Sequence, residues 1–170
     1  MTRMLTMTRN RAIFLAAAGS LGILLAGYWF QYIVGLAPCI LCLWQRLPHM
    51  IATLLGMAAI AVGGRILPLA GAVTMVVSAG LGIYHTGVER KWWPGPASCT
   101  GDAAGFQALT PEQMLDPTLV RPVVLCDQVQ WEMFGLSMAS YNAMISLAFA
   151  GLWLWAFLHG RGAARSSSAA

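Results

Sequence analysis

Apolar residues gather into four long runs that contain no Asp, Glu, Lys or Arg: Ala12 to Leu36, Leu47 to Gly64, Ile66 to Val88 and Met133 to Leu158. A helix needs roughly 20 apolar residues to cross a hydrocarbon layer of about 30 Å. The first, third and fourth runs meet that length. The second does so if its helix begins near Cys39. The pattern predicts four membrane-spanning helices over about 12–35, 41–63, 66–88 and 134–158. The turn Gly63-Gly64-Arg65 is short, so the second and third helices should be antiparallel neighbours. Residues 1–170 then form one integral membrane domain, an all-α bundle of four transmembrane helices. A long loop, about 89–133, joins helices three and four.

Composition strengthens this reading. The chain is 58% hydrophobic and only 9% charged, whereas a soluble domain carries about a quarter charged residues. The first run follows a basic start, as a signal peptide does, but exceeds the roughly 7–15 residues of a signal's apolar core. It reads as a retained span.

Charge sets the expected orientation. Arg3, Arg9 and Arg11 precede the first span, Arg65 lies between the second and third, and Arg161 and Arg165 follow the fourth. The positive-inside rule puts both termini in the cytoplasm and the long loop outside. All six acidic residues lie in or beside that loop, which is consistent, although Arg90, Lys91 and Arg121 are there too. The net charge of +4 therefore reflects topology. Scattered basic residues leave no nucleic-acid footprint.

Ala18, Gly22 and Ala26 fall four apart on the first span, a small-residue stripe of the kind that lets helices approach closely in lipid. Trp29, Tyr32, Trp44, Trp92, Trp93, Trp131 and Phe134 collect toward the outer interface, and Trp153, Trp155 and Phe157 toward the inner one. Both sets read as interfacial belts. In the loop, Thr110-Pro111-Glu112-Gln113-Met114-Leu115 has the cap and first-turn proline of a short helix. It is expected to lie on the membrane surface.

The four cysteines, Cys39, Cys42, Cys99 and Cys126, all fall on the outer side of this topology. Disulfides persist in an oxidising compartment. Two structural disulfides and a redox relay both remain open at this level. Spacing favours the relay for Cys39-Ile40-Leu41-Cys42, because a disulfide across so short a loop constrains little chain. At a helix N-terminus such a pair favours a thiolate, which makes its disulfide more oxidising. Zinc would want four ligands, and the isolated Cys99 and Cys126 make a poor second pair, so no metal site is expected. Haem attachment would need His after the second cysteine, where Leu43 stands.

Arg46 lies one helical turn after Cys42 and shares its face. A charge near the end of a span is costly and usually functional. Arg46 is therefore expected to stabilise the Cys42 thiolate and an anionic oxygen on a bound acceptor. The rival reading is an arginine snorkelling to outer headgroups. His85, near the outer end of the third span, is a candidate donor to a reduced acceptor. His49 continues the stripe Cys39, Cys42, Arg46, and nothing further singles it out.

Several segments resemble the disulfide bond formation protein B family, DsbB. They are Pro-Cys-Ile-Leu-Cys-Leu-Trp-Gln-Arg at 38–46, Tyr-His-Thr at 84–86, Trp-Pro-Gly-Pro-Ala-Ser-Cys at 93–99, and Cys126-Asp127 followed by Trp131 and Phe-Gly-Leu-Ser-Met-Ala at 134–139. The resemblance covers nearly the whole chain apart from its tails. It implies a bacterial inner-membrane thiol oxidase, active on the periplasmic side, that reoxidises a DsbA-type dithiol and reduces ubiquinone or menaquinone. It further implies that Cys99 forms the mixed disulfide with DsbA, that Cys126 is its partner and exchanges with Cys39, and that the Cys42 thiolate contacts the quinone. Arg46 and His85 resemble the quinone-site residues. Some members carry Glu before the arginine, where this chain has Gln45.

Three alternatives compete, one of them a relative of the same family that serves a dedicated partner instead of DsbA. A structural tetraspan protein with loop disulfides explains the topology but gives the two-cysteine turn and Arg46 no purpose. A thiol–quinone enzyme of the vitamin K epoxide reductase type would carry its short-spaced pair late in the chain, whereas here it is early.

Overall fold

A computed structural model describes residues 7–96 and 124–161. It contains four long helices, α1 (Arg9–Tyr32), α2 (Ile40–Val62), α3 (Ile66–Glu89) and α4 (Met138–Leu158). All four are long and apolar enough to cross a membrane. The protein is a multi-pass, four-helix membrane bundle. Each helix packs on its neighbours in the chain, and α1 closes the ring against α4. The short helix expected at 110–115 lies outside the described residues, as does Cys99.

Helix ends follow local chemistry. The Thr8 hydroxyl caps α1 by accepting from the Arg11 amide, so Arg9 and Arg11 fall inside the first turns rather than ahead of the helix. Gly63 and Gly64 both adopt positive φ and turn the chain from α2 into α3. The fourth helix begins at Met138, later than the expected 134. A two-residue hairpin precedes it, with strands β1 (Glu132–Met133) and β2 (Leu136–Ser137) paired antiparallel. Phe134 and Gly135 form its turn at φ of 52° and 74°, the left-handed pair that such a turn requires. Apolar Met133 and Phe134 lengthened the run without being helical. Ser137 then caps α4 by accepting from the Ser140 amide.

The core lies between the helices and is built from small residues around one large one. Trp153 is fully buried and packs with Ala12, Ile13, Ala16, Ala52, Ala59, Ala72 and Met75. This corrects the expectation that Trp153 belongs to an interfacial belt. Its ring fits because Gly71 has no side chain, and a Cβ there would overlap the indole; Gly56 instead lets α1 approach α2, since a Cβ there would overlap Ala17. The close-packing stripe of α1 is also not the expected one. Ala12, Ala16 and Ser20 are buried, whereas Ala18, Gly22 and Ala26 face outward. Spacing alone fixes a stripe but not which side of the helix meets its neighbours. Leu25, Leu54, Val73 and Leu147 are among the many large apolar side chains exposed on the outside, as expected where lipid is the solvent.

The two ends of the bundle differ chemically. At one end Arg9 donates to the Gly64 carbonyl, and Arg65 donates to the Phe157 carbonyl while lying over the Phe157 ring. The start of α1, the α2–α3 turn and the end of α4 therefore meet there. At the other end lie Cys39, Glu89, Cys126 and the hairpin.

One substitution pair tests the packing. A Cβ at Gly82 would lie within 3.0 Å of the α4 backbone at Ala139 and Ala143, whereas a Cβ at Gly22 meets nothing within 4 Å. Gly82→Ala should destabilise the protein by about 1–3 kcal/mol through overpacking. Gly22→Ala should shift stability by less than about 0.5 kcal/mol. Reversible unfolding in detergent reads both.

Candidate functional site

Extended chain after α1 leads through Pro38 to Cys39, which is the N-cap of α2. The unpaired amides of a helix start need acceptors, and here the acceptor is sulfur. The Cys42 amide donates to Cys39 Sγ at 3.3 Å. Cys39 and Cys42 are free thiols with their sulfurs 3.0 Å apart, within reach of the roughly 2.05 Å bond of a disulfide. His85, one turn before the end of α3, puts Nε2 at 3.6 Å from Cys39 Sγ.

Cys39 therefore faces three hydrogen-bond donors. The Cys42 thiol contributes most, followed by the hydrogen bond and charge of His85 and then the Cys42 amide; burial opposes them. Together they push the Cys39 thiol down from 9.0 to about 4. Ionisation of the pair is therefore favoured at Cys39.

Cys126 is disulfide-bonded and completely buried. It packs in one cluster with Cys39, Leu41 and Val88, flanked by Cys42 and Tyr84. Among the described residues, Cys39, Cys42 and Cys126 thus come together at one end of the bundle.

Beside the pair opens a cavity of about 300 Å³, walled by α1, α2, α4 and the segment before the hairpin. Its surface is almost wholly apolar, from Ile23, Phe30, Trp131, Met138 and Ile145 among others. Cys42, Gln45, Arg46, His49, His85 and Asn142 supply its polar groups. Cys42 lines this space, whereas Cys39 lies behind it.

Arg46 does not reach Cys42 through any of its hydrogen bonds. It turns toward α1, donating to Gln31 Oε1 at 2.6 Å and to the Gly27 carbonyl at 3.3 Å, with Tyr28 beneath it at 4.9 Å. A guanidinium has five N–H donors, so these bonds hold Arg46 in place without exhausting it. The cavity is large enough for a small ligand, and Arg46 lines it with donors to spare.

Three further residues enter the site. Gln45 bridges α2 to His85 Nδ1 at 2.8 Å. Asn142, in the middle of the fourth apolar run, donates to Gln45 Oε1 at 2.8 Å and meets His49 Nε2 at 2.8 Å. Glu89 brings Oε1 to 3.9 Å from His85 Nε2 and accepts a hydrogen bond from Ser137. Asn142 had a sequence signal, a strongly polar residue inside an apolar run. Glu89 had one as well, an acid at the end of a span. Neither has a neighbour in sequence that pairs it with the cysteines.

Cys39 Sγ, Cys42 Sγ and His85 Nε2 lie within 4.8 Å of one another, so the donor set for a soft metal is present. His85 Nδ1 faces the Gln45 amide at 2.8 Å, and Nε2 faces Cys39.

A family model described as disulfide bond formation protein DsbB matches residues 9–156. Curated relatives agree. A disulfide bond formation protein B of Albidiferax ferrireducens is 29% identical over 152 residues, spanning 85% of this chain and 87% of the relative. One of Shewanella sp. strain MR-4 is 32% identical over 157 residues, spanning 89% and 87%. No solved structure matches. A four-helix membrane bundle with paired thiols at the start of its second helix, matched over nearly its whole length, is a member of the DsbB family of disulfide-forming oxidoreductases.

Proposed function

We propose that the protein is a protein-dithiol:quinone oxidoreductase of the bacterial inner membrane. It reoxidises a periplasmic DsbA-type thiol oxidase and passes two electrons to ubiquinone or menaquinone. The observation that carries this reading is the position of the Cys39–Cys42 pair. Disulfide-bonded Cys126 packs behind it and the apolar cavity opens in front.

The relay balances as follows. A thiolate of the reduced partner attacks Cys99, and Cys126 leaves as a thiolate. Cys126 attacks Cys39 of the oxidised inner pair, and Cys42 leaves as a thiolate facing the cavity. The partner's second thiol then releases it as a disulfide, and Cys99 and Cys126 close again. The inner pair now holds both electrons, the redox state in which Cys39 and Cys42 are free and Cys126 is bonded.

While Cys39 is tied to Cys126 it cannot carry charge, so the thiolate resides on Cys42. Once Cys39 is free, its three donors draw the charge back to it. A bound quinone supplies the two-electron acceptor. Arg46, which lines the cavity, would hold one of its oxygens electrostatically. The apolar walls, with Trp131 wedged between Phe30 and Tyr141, keep water from the thiolate. The basic end at Arg9 and Arg65 supports cytoplasmic termini and a periplasmic active site.

Two measurements test this. With a reduced DsbA-type dithiol and a soluble ubiquinone or menaquinone analogue, the wild type should consume quinone. Cys42→Ser should abolish turnover, and Arg46→Ala should raise the quinone KM by about ten-fold or more, as loss of a charge-assisted hydrogen bond would. Folded wild type that consumes neither quinone would leave a structural tetraspan protein as the better account.

In the reduced protein one thiolate should persist as pH falls from 9.0 and disappear only through about 4. Because the folded value lies below the unfolded one, the stability it adds is complete above the unfolded value and is lost as pH falls through the folded value. Ultraviolet thiolate absorbance reads the titration, and a midpoint near an ordinary thiol's would contradict it.

A further inference from the structure

Four buried polar side chains of the bundle, His49, Asn142, Gln45 and His85, form one directed chain. Asn142 Nδ2 donates to Gln45 Oε1, so Asn142 Oδ1 is left to accept from His49 Nε2. Gln45 Nε2 in turn faces two acceptors, the Leu41 carbonyl at 3.2 Å and His85 Nδ1 at 2.8 Å. The orientation of an amide is often ambiguous, because its oxygen and nitrogen look alike. Here it is not. Turning Gln45 over would press its oxygen against the Leu41 carbonyl and set the Asn142 NH₂ against the Gln45 NH₂. The backbone of α2 therefore decides which end of Gln45 meets His85.

That choice propagates. Since Gln45 donates to Nδ1, Nδ1 must hold a lone pair and the ring hydrogen must be on Nε2. Nε2 faces two acceptors, Cys39 Sγ at 3.6 Å and Glu89 Oε1 at 3.9 Å. No other titratable group is paired with the ring by hydrogen bond or ion pair among the described residues.

We propose that Gln45, held by Leu41 and Asn142, is a positioning residue that fixes the Nε2–H tautomer of His85 and aims that hydrogen at the Cys39 sulfur. This rests on the relay reading only for its purpose, which is to stabilise Cys39 as the thiolate that leaves when Cys99 and Cys126 close again. The tautomer itself follows from the hydrogen bonds. Asn142 acts one step further back, by occupying the oxygen of Gln45. A glutamate at position 45 would reverse the logic. A carboxylate cannot donate, so it would draw a proton onto Nδ1.

The chain has three histidines, so the readout is simple. Full-length protein labelled with nitrogen-15 at histidine is reduced in detergent micelles without quinone, and its ring nitrogens are recorded by long-range proton–nitrogen correlation. Variants of His49 and His159 assign the signals. Wild-type His85 should show an unprotonated Nδ1 and a protonated Nε2, and Gln45→Glu should convert Nδ1 to a protonated nitrogen. The thiolate titration read on Asn142→Leu gives the second measurement. Its midpoint should rise by about one pH unit, a ten-fold weaker ionisation.

A protonated Nδ1 in reduced wild type overturns the proposal whether or not the variants fold. So does an Nδ1 that stays unprotonated in folded Gln45→Glu. Quinone is absent from these samples, so the expected tautomer in a protein that consumes no quinone supports the positioning role while sinking the oxidase reading.

Discussion

Polar groups inside a bundle that lipid surrounds are costly unless they find partners within the protein, and that constraint organises most of this molecule, His49 Nδ1 and Trp153 Nε1 being left without one among the described residues. Outside the bundle there is no water at that depth to satisfy a stray amide or imidazole. The polar residues that α2, α3 and α4 carry inward are therefore drawn into contact with one another. Gln45, His49, His85 and Asn142 meet between the helices. Ser78 and Ser146 bond each other at 2.9 Å deeper in the core. Small residues elsewhere, such as Gly71 against Trp153, let the helices approach closely enough for these contacts to close. The polar chain and the tight packing are two consequences of one solvent.

The site inherits its properties from this arrangement. Cys39 caps α2, so its sulfur sits where a helix start offers amide hydrogens. His85 is held by Gln45 and brings a third donor. Cys42 is one turn along and faces the cavity instead. Within a span of four residues the fold thus separates two tasks, holding negative charge and facing an apolar ligand space. A two-cysteine turn on a soluble loop would have the same spacing without the cavity or the imidazole.

Much of the fold was legible in the sequence because a membrane span is a long, one-dimensional signal. Four charge-free runs gave the four helices. The boundaries shifted where capping outweighed hydropathy, at Thr8 and at the Phe134-Gly135 turn. The inward face of α1 was not legible, since spacing among Ala18, Gly22 and Ala26 is equally regular on a face that meets lipid. The cysteine pair stood out by its spacing and the helix start. Arg46 was legible as a charge near the end of a span, but its anchors, Gln31 and Gly27, belong to another helix. The same holds for Asn142 and Gln45, whose partnership spans 97 positions of sequence. Contacts across that distance leave no local pattern to read.

The central claim is that the two cysteine pairs communicate through Cys39 and Cys126. Its most direct test is a Cys42→Ser, Cys99→Ser double variant, which leaves those two sulfurs without their own partners. Purified under mild oxidation, the protein should form an intramolecular Cys39–Cys126 disulfide, seen as one linked peptide pair by mass spectrometry after non-reducing digestion. Folded double variant in which both thiols stay free, or in which Cys126 links only between molecules, would contradict the relay.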